Sequence, residues 1–182
     1  MLNLRFAALL IGATLLAAPA AAQKIDSAYT DVDLDTCLVR SVDDLGGSWS
    51  CPGYKGYPLY IAEGDLRMFV SYGFNAPDEM AAHQTLSHFN TLGKKLEWRL
   101  VSTADGWRPF ATILRFYTQI GDGSEPDGQV LVVTKLEPGN TCHVAYIDAR
   151  LTPDANTIAR QFADTLAPVF NCRNDEPARI PE

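Results

Sequence analysis

The side chains in this sequence that could do chemistry are three histidines, four cysteines and two clusters of carboxylates. His83 and His88 are five residues apart, which would place them on different faces of a helix and suits a shared metal poorly. His143 alternates against Cys142 in a strand-like run, so it should face solvent or pack under a helix. No His-Glu-x-x-His, Gly-x-Ser-x-Gly or Ser-x-x-Lys pattern is present, so spacing assigns no catalytic residue. Among the acids, "DVDLD" places Asp31, Asp33 and Asp35 at alternate positions, as at the start of a calcium loop. Thr36 stands where such a loop needs glycine, and Val42 where it needs a bidentate acid. "GDGSEPDG" brings Asp122, Ser124, Glu125 and Asp127 together; a solvated hairpin turn is the favoured reading over a weak calcium site. No glycine-rich phosphate loop follows a strand. These residues predict no metal and no cofactor.

The cysteines point to staples. Zinc sites bring cysteines in close pairs and redox sites use Cys-x-x-Cys, and neither spacing occurs here. An even number in an oxidising compartment favours disulfides. Of the three possible connectivities, Cys37–Cys51 with Cys142–Cys172 is preferred, because each pair closes a local loop. Cys51 lies in "WSCPGYKGYPLY", where Trp49, Tyr54, Tyr57 and Tyr60 gather among glycines and prolines. Tyrosine and tryptophan offer a flat apolar face with a polar tip, which interfaces and sugar-binding surfaces use. This loop, with the adjacent hairpin tip carrying Glu63, Asp65 and Arg67, is the candidate binding surface. The competing reading buries Trp49 and Tyr60 and leaves the other rings shielding a sheet edge.

The first 22 residues read as a cleavable export signal. Arg5 precedes an apolar run from Phe6 to Ala18, and Ala20-Ala21-Ala22 fit a cleavage site before Gln23. The run is shorter than the roughly 20 residues a spanning helix needs, and no later stretch is long and apolar enough to cross a bilayer. The expected location is the periplasm or the exterior of a bacterium. The remaining chain suits one domain, Gln23 to Glu182. A formal charge of −7 with no basic patch disfavours nucleic acid and anionic membrane surfaces.

The elements that must position these residues can be read from periodicity. A polar lead, about 23–33, is expected to be loose. Strands are predicted at Thr36–Ser41, Gly47–Cys51, Pro58–Ala62 and Leu66–Tyr72, with "LYIAEGDLRMF" turning at Glu63-Gly64-Asp65. "NAPDEMAAHQT" reads as a short helix capped by Asn75, and "LSHFNTLG" as a loop. Longer strands follow at Lys95–Ser102, Pro109–Ile120, Gln129–Glu137 and Thr141–Ala149. A last helix has Thr152 as cap and Pro153 at its first position. Its apolar stripe is Ala155, Ile158, Ala159, Phe162, Leu166 and Val169. The tail, about 173–182, should fray. The predicted fold is α+β: an antiparallel sheet of six to eight strands with the C-terminal helix on one face and a short helix between strands.

The segments "CPGYKGYPLYIAEGDLRMFVSYG", "FNTLGKKLEWRL", "RPFATILRF" and "GQVLVVTKL…CHVAYIDA" resemble a group of small exported proteins of Alphaproteobacteria. The resemblance implies export and a single domain, and carries over no catalytic residue and no ligand. The sequence therefore leads to a non-catalytic periplasmic binding or interaction protein with an envelope protein or glycan as partner. Inhibition of a hydrolase is one specific form of that role. The alternative is an envelope-directed hydrolase using His83, His88 or His143 with an acid that only the fold brings near.

Overall fold

The computed structural model describes residues 23–119 and 127–181; the first 22 residues, expected to be an export signal, and most of the "GDGSEPDG" turn lie outside them. Its strands are β1 (Ile25–Asp31), β2 (Leu38–Asp43), β3 (Gly46–Cys51), β4 (Leu59–Gly64) and β5 (Arg67–Tyr72). They continue with β6 (Phe89–Thr103), β7 (Gly106–Gln119), β8 (Gly128–Lys135), β9 (Cys142–Asp148) and β10 (Ala178–Ile180), with the helix α1 (Ala155–Thr165) before β10. These ten strands form two sheets rather than one. The larger has the order β1-β6-β7-β8-β9-β10 and the smaller β2-β3-β4-β5. The protein is mainly β with one C-terminal helix, and the expected α+β balance of helices over a single sheet is corrected accordingly.

Three layers result. On β6, Leu96, Trp98 and Leu100 enter the core between the sheets, where Leu59, Ile61, Val70 and Tyr72 of the small sheet meet them. Val101 of the same strand joins the opposite core, under α1, with Ile113, Leu131, Val133, Val144 and Ile147. The burial of both faces of β6 from Leu96 to Val101 and the nearly continuous apolar run of β8 have one cause: the large sheet is covered on both faces. Ala155, Ala159 and Ala163 bring α1 close to the sheet, and Ala167 and Phe170 continue the contact beyond its end.

Several predicted elements change. The lead expected to be loose is β1, paired antiparallel with β6 from Ile25 opposite Val101 to Asp31 opposite Lys95. The tail expected to fray contains β10, which lies parallel to β9 and makes the large sheet mixed. The helix expected over 75–85 is two short 3-10 turns, Ala76–Asp78 and Met80–His83, and Asn75 makes no capping side-chain bond. All of "FNTLG", expected as the end of a loop, belongs to β6. At α1 the cap is Asp154 in the left-handed region at φ 55°, not Thr152, and Val169 lies outside the helix and is exposed. The two unexpected strands, β1 and β10, have the same physical source. Local pattern sets propensity, while partners many residues away decide whether a short polar segment pairs.

Both disulfides are present. Cys37–Cys51 fastens the turn before β2 to the end of β3, and Cys142–Cys172 fastens β9 to the segment after α1. A charged network lies beneath α1 at the β1 edge. Glu97 accepts from Arg160 Nε at 2.7 Å and from Ser27 Oγ at 2.7 Å, and Arg99 makes paired bonds of 2.8 and 2.7 Å to Asp164.

Candidate functional site

The seven residues proposed from sequence do not share one surface. Trp49 sits opposite Ile61 in the β3–β4 ladder and packs, half-buried, against the core between the sheets. Tyr60 sits opposite Ser50, one residue out of phase, and so points to the other face of the small sheet. There the Arg40 guanidinium lies 5.6 Å above its ring. Tyr54 and Tyr57 lean on the fully buried Trp98, with ring centroids 6.3 and 6.5 Å away. Gly53 allows that approach, since a Cβ there would lie 2.7 Å from the Trp98 ring and 2.2 Å from the Tyr57 carbonyl oxygen. Glu63 and Asp65 shape the β4–β5 turn. Glu63 Oε1 accepts the Leu66 N–H at 3.0 Å, and Asp65 pairs with Arg67.

Of the seven, Arg67 reaches the cleft that His83 and His88 also line, whereas Glu63 and Tyr57 border other, smaller hollows. Its guanidinium stacks on Phe89 at 5.2 Å and donates to the Ser87 carbonyl at 3.2 Å. The cleft, about 740 Å³, opens on the face of the large sheet away from α1, where β9 and β10 emerge from beneath the small sheet. Its wall is the stretch 83–88, which carries His83 and His88. Its floor is Val130 of β8, Tyr146 and Asp148 of β9, and Arg179 of β10.

The wall is fastened along its length. Ala81 N–H donates to the Thr141 carbonyl at 3.0 Å, and Gln84 Oε1 accepts the His143 N–H at 2.8 Å. Thr85 Oγ1 donates to the Met68 carbonyl at 2.6 Å, and Asn90 Nδ2 to the His88 carbonyl at 2.9 Å. These bonds leave no need for a helix there, which is why the local pattern misled.

The floor is equally held. Tyr146 Oη meets His143 Nδ1 at 2.9 Å, and the rings pack edge-on with centroids 5.5 Å apart. His143 is buried, not facing solvent: its ring lies against Tyr146, and beside it a register shift interrupts the β8–β9 ladder between Val133 and Thr134. Burial drives its pKa down to about 3, so the imidazole is neutral at physiological pH. Burial also raises the Tyr146 hydroxyl above its ordinary range, with Arg179 acting in the opposite sense and Glu176 adding to the rise. Arg179 faces Tyr146 across the parallel β9–β10 ladder and lays its guanidinium 4.7 Å above the ring. Asp148 supplies a carboxylate whose Oδ1 is taken by the Arg150 and Leu151 N–H groups at 2.8 and 3.1 Å.

Sequence reasoning weighed His83 and His88 but could not place them on one wall, and it missed Tyr146, Asp148 and Arg179. Arg179 lies in a three-residue strand too short to show a period. No group of three or more potential metal-binding side chains occurs among the described residues. No protein-family model matches the chain, and neither the curated proteins nor the solved structures contain a significant match.

Proposed function

We propose that this chain is an exported binding protein of the bacterial envelope, which holds its partner in the cleft beside Tyr146 without transforming it. The observation that carries this reading is the preformed platform at the cleft floor: Arg179 stacked on a Tyr146 whose hydroxyl is fixed by the buried His143. A site whose side chains are ordered before the ligand arrives avoids much of the entropy cost of binding. The volume suits a small molecule or one unit of a larger glycan. His143 supports retention over turnover, since an imidazole held neutral to about pH 3 orients a neighbour but does not exchange protons near neutrality. The loop aromatics are the weaker surface, because Tyr54 and Tyr57 already pack on Trp98.

One observation favours a second reading. His83, His88 and Asp148 line the same cleft, the residue types a hydrolase would draw on. The test is to add envelope glycan fragments to residues 23–182, record backbone amide spectra, and analyse the ligand afterwards. Binding predicts shifts at Leu86, Tyr146 and Arg179 with the ligand recovered intact. Cleaved fragments that disappear with His83→Ala or His88→Ala would establish the hydrolase instead. Shifts confined to Trp49–Tyr60 would return the site to the loop.

A further inference from the structure

The cleft also specifies a ligand chemistry, an inference that rests on the binding role just proposed. We infer that it takes an anionic group, a carboxylate or phosphate on a small polar ligand, received by the Arg179 guanidinium.

Four cationic or protonatable side chains converge there: Arg67, Arg179, His83 and His88. This is unusual on a chain of net charge −7. The two arginines differ in what they can offer. Arg67 is engaged by Asp65 and by the Ser87 carbonyl. Arg179 makes no ion pair among the described residues, and its contact is with the face of Tyr146. Stacking on an aromatic ring fixes the guanidinium plane and leaves its N–H edge free, the arrangement in which arginine takes a carboxylate or phosphate through two parallel hydrogen bonds.

The support beneath it runs two layers deep. Tyr146 is itself held by His143. A buried histidine that titrates only near pH 3 is costly to keep in an apolar core, and orienting the ring under Arg179 gives it a role. Two negative groups bear on the same place. Asp148 lines the cleft, and Glu176 acts electrostatically on Tyr146. Asp148 is partly satisfied by two backbone N–H groups, which lowers its competition for Arg179. Leu86 and Val130 give the carbon body of the ligand an apolar side to rest on.

The experiment uses three probes with one body and different heads: glucose, glucuronate and glucose 6-phosphate. Each is titrated at millimolar concentration into residues 23–182, with the Arg179 side-chain Nε–H and the backbone amides followed by NMR. The expected result is that at least one anionic probe shifts Arg179 Nε–H and the Leu86 and Tyr146 amides, while glucose does not. Which anion binds more tightly separates a carboxylate from a phosphate ligand.

Arg179→Gln is expected to weaken the anion roughly tenfold, the loss of a charge-assisted bidentate contact. Asp148→Asn, which removes a like charge, should strengthen it. Tyr146→Phe keeps the ring and loses the hydroxyl, so it should weaken binding less than Arg179→Gln. Binding of all three probes alike, or unchanged anion binding in Arg179→Gln, would overturn the anionic assignment while leaving a binding cleft in place. No shift in the cleft with any of these probes would overturn the anionic assignment. The binding role itself falls only if the glycan fragments also leave the cleft unshifted.

Discussion

Two buried titratable residues make opposite bargains with acid. Burial pushes the Glu97 carboxyl up, but hydrogen bonds from Arg160 and Ser27 and the charges of Arg160 and Arg99 outweigh it, and its pKa lies below the ordinary value of 4.5. A carboxylate depressed in the folded state stabilises the protein above its unfolded pKa, and that stability is lost as pH falls through the folded value. His143 is neutral when folded and takes up a proton only when unfolded in the range from 6.5 down to about 3. Its share of stability is therefore complete above pH 6.5 and declines below it, well before Glu97 titrates. Urea midpoints measured from pH 7 to pH 4 should show a loss on the order of 3 kcal/mol from His143. In His143→Gln the curve should stay flat to about pH 4.5 and then fall, because below that pH Glu97 takes up protons more readily in the unfolded chain than in the folded one. An unchanged slope between pH 6.5 and 4.5 in that variant would show that another group is responsible.

At the scale of elements, the two disulfides do different jobs. Cys142–Cys172 closes the longer loop and pins the segment after α1 against β9, where Lys135 Nζ donates to the Phe170 carbonyl at 2.9 Å. Replacing both of its cysteines by alanine should cost about 3–4 kcal/mol by the loop-length argument, against about 3 kcal/mol for Cys37–Cys51. Thermal unfolding under oxidising conditions measures both. If Cys142→Ala/Cys172→Ala melts no earlier than the Cys37→Ala/Cys51→Ala protein, the pinning has been overestimated. The disulfide pairing was legible because each pair joins segments that the turn signals already bring near. The strongest strands were legible too: β7 and β8 carry apolar and β-branched residues on both faces. What could not be read were β1 and β10. Their short polar patterns, "IDSAYTD" and "ARI", become strands only because β6 and β9 offer unpaired edges. Much of the candidate site depends on that: Arg179 reaches Tyr146 because β10 pairs, and no local signal announces it.

Across the whole molecule, Trp98 is the joint between layers. It is fully buried on β6, touches Tyr54, Tyr57 and Tyr72, and donates from Nε1 to Thr30 Oγ1 on β1 at 2.9 Å. Trp98→Ala should lower stability by about 3–5 kcal/mol and weaken the near-ultraviolet circular dichroism of the packed rings. A loss below about 1 kcal/mol would mean the small sheet is held by other contacts. The order of the large sheet carries one more consequence, for folding in time. β1 pairs only with β6, so Ile25 must wait for Val101. Pairings so distant in sequence place the chain among slow folders, and β1 spends that interval as an open edge that other chains could copy. Its own residues guard it: Asp26 and Asp31 stand near the two ends of the strand, charges that repel a second β1 lying alongside until β6 arrives.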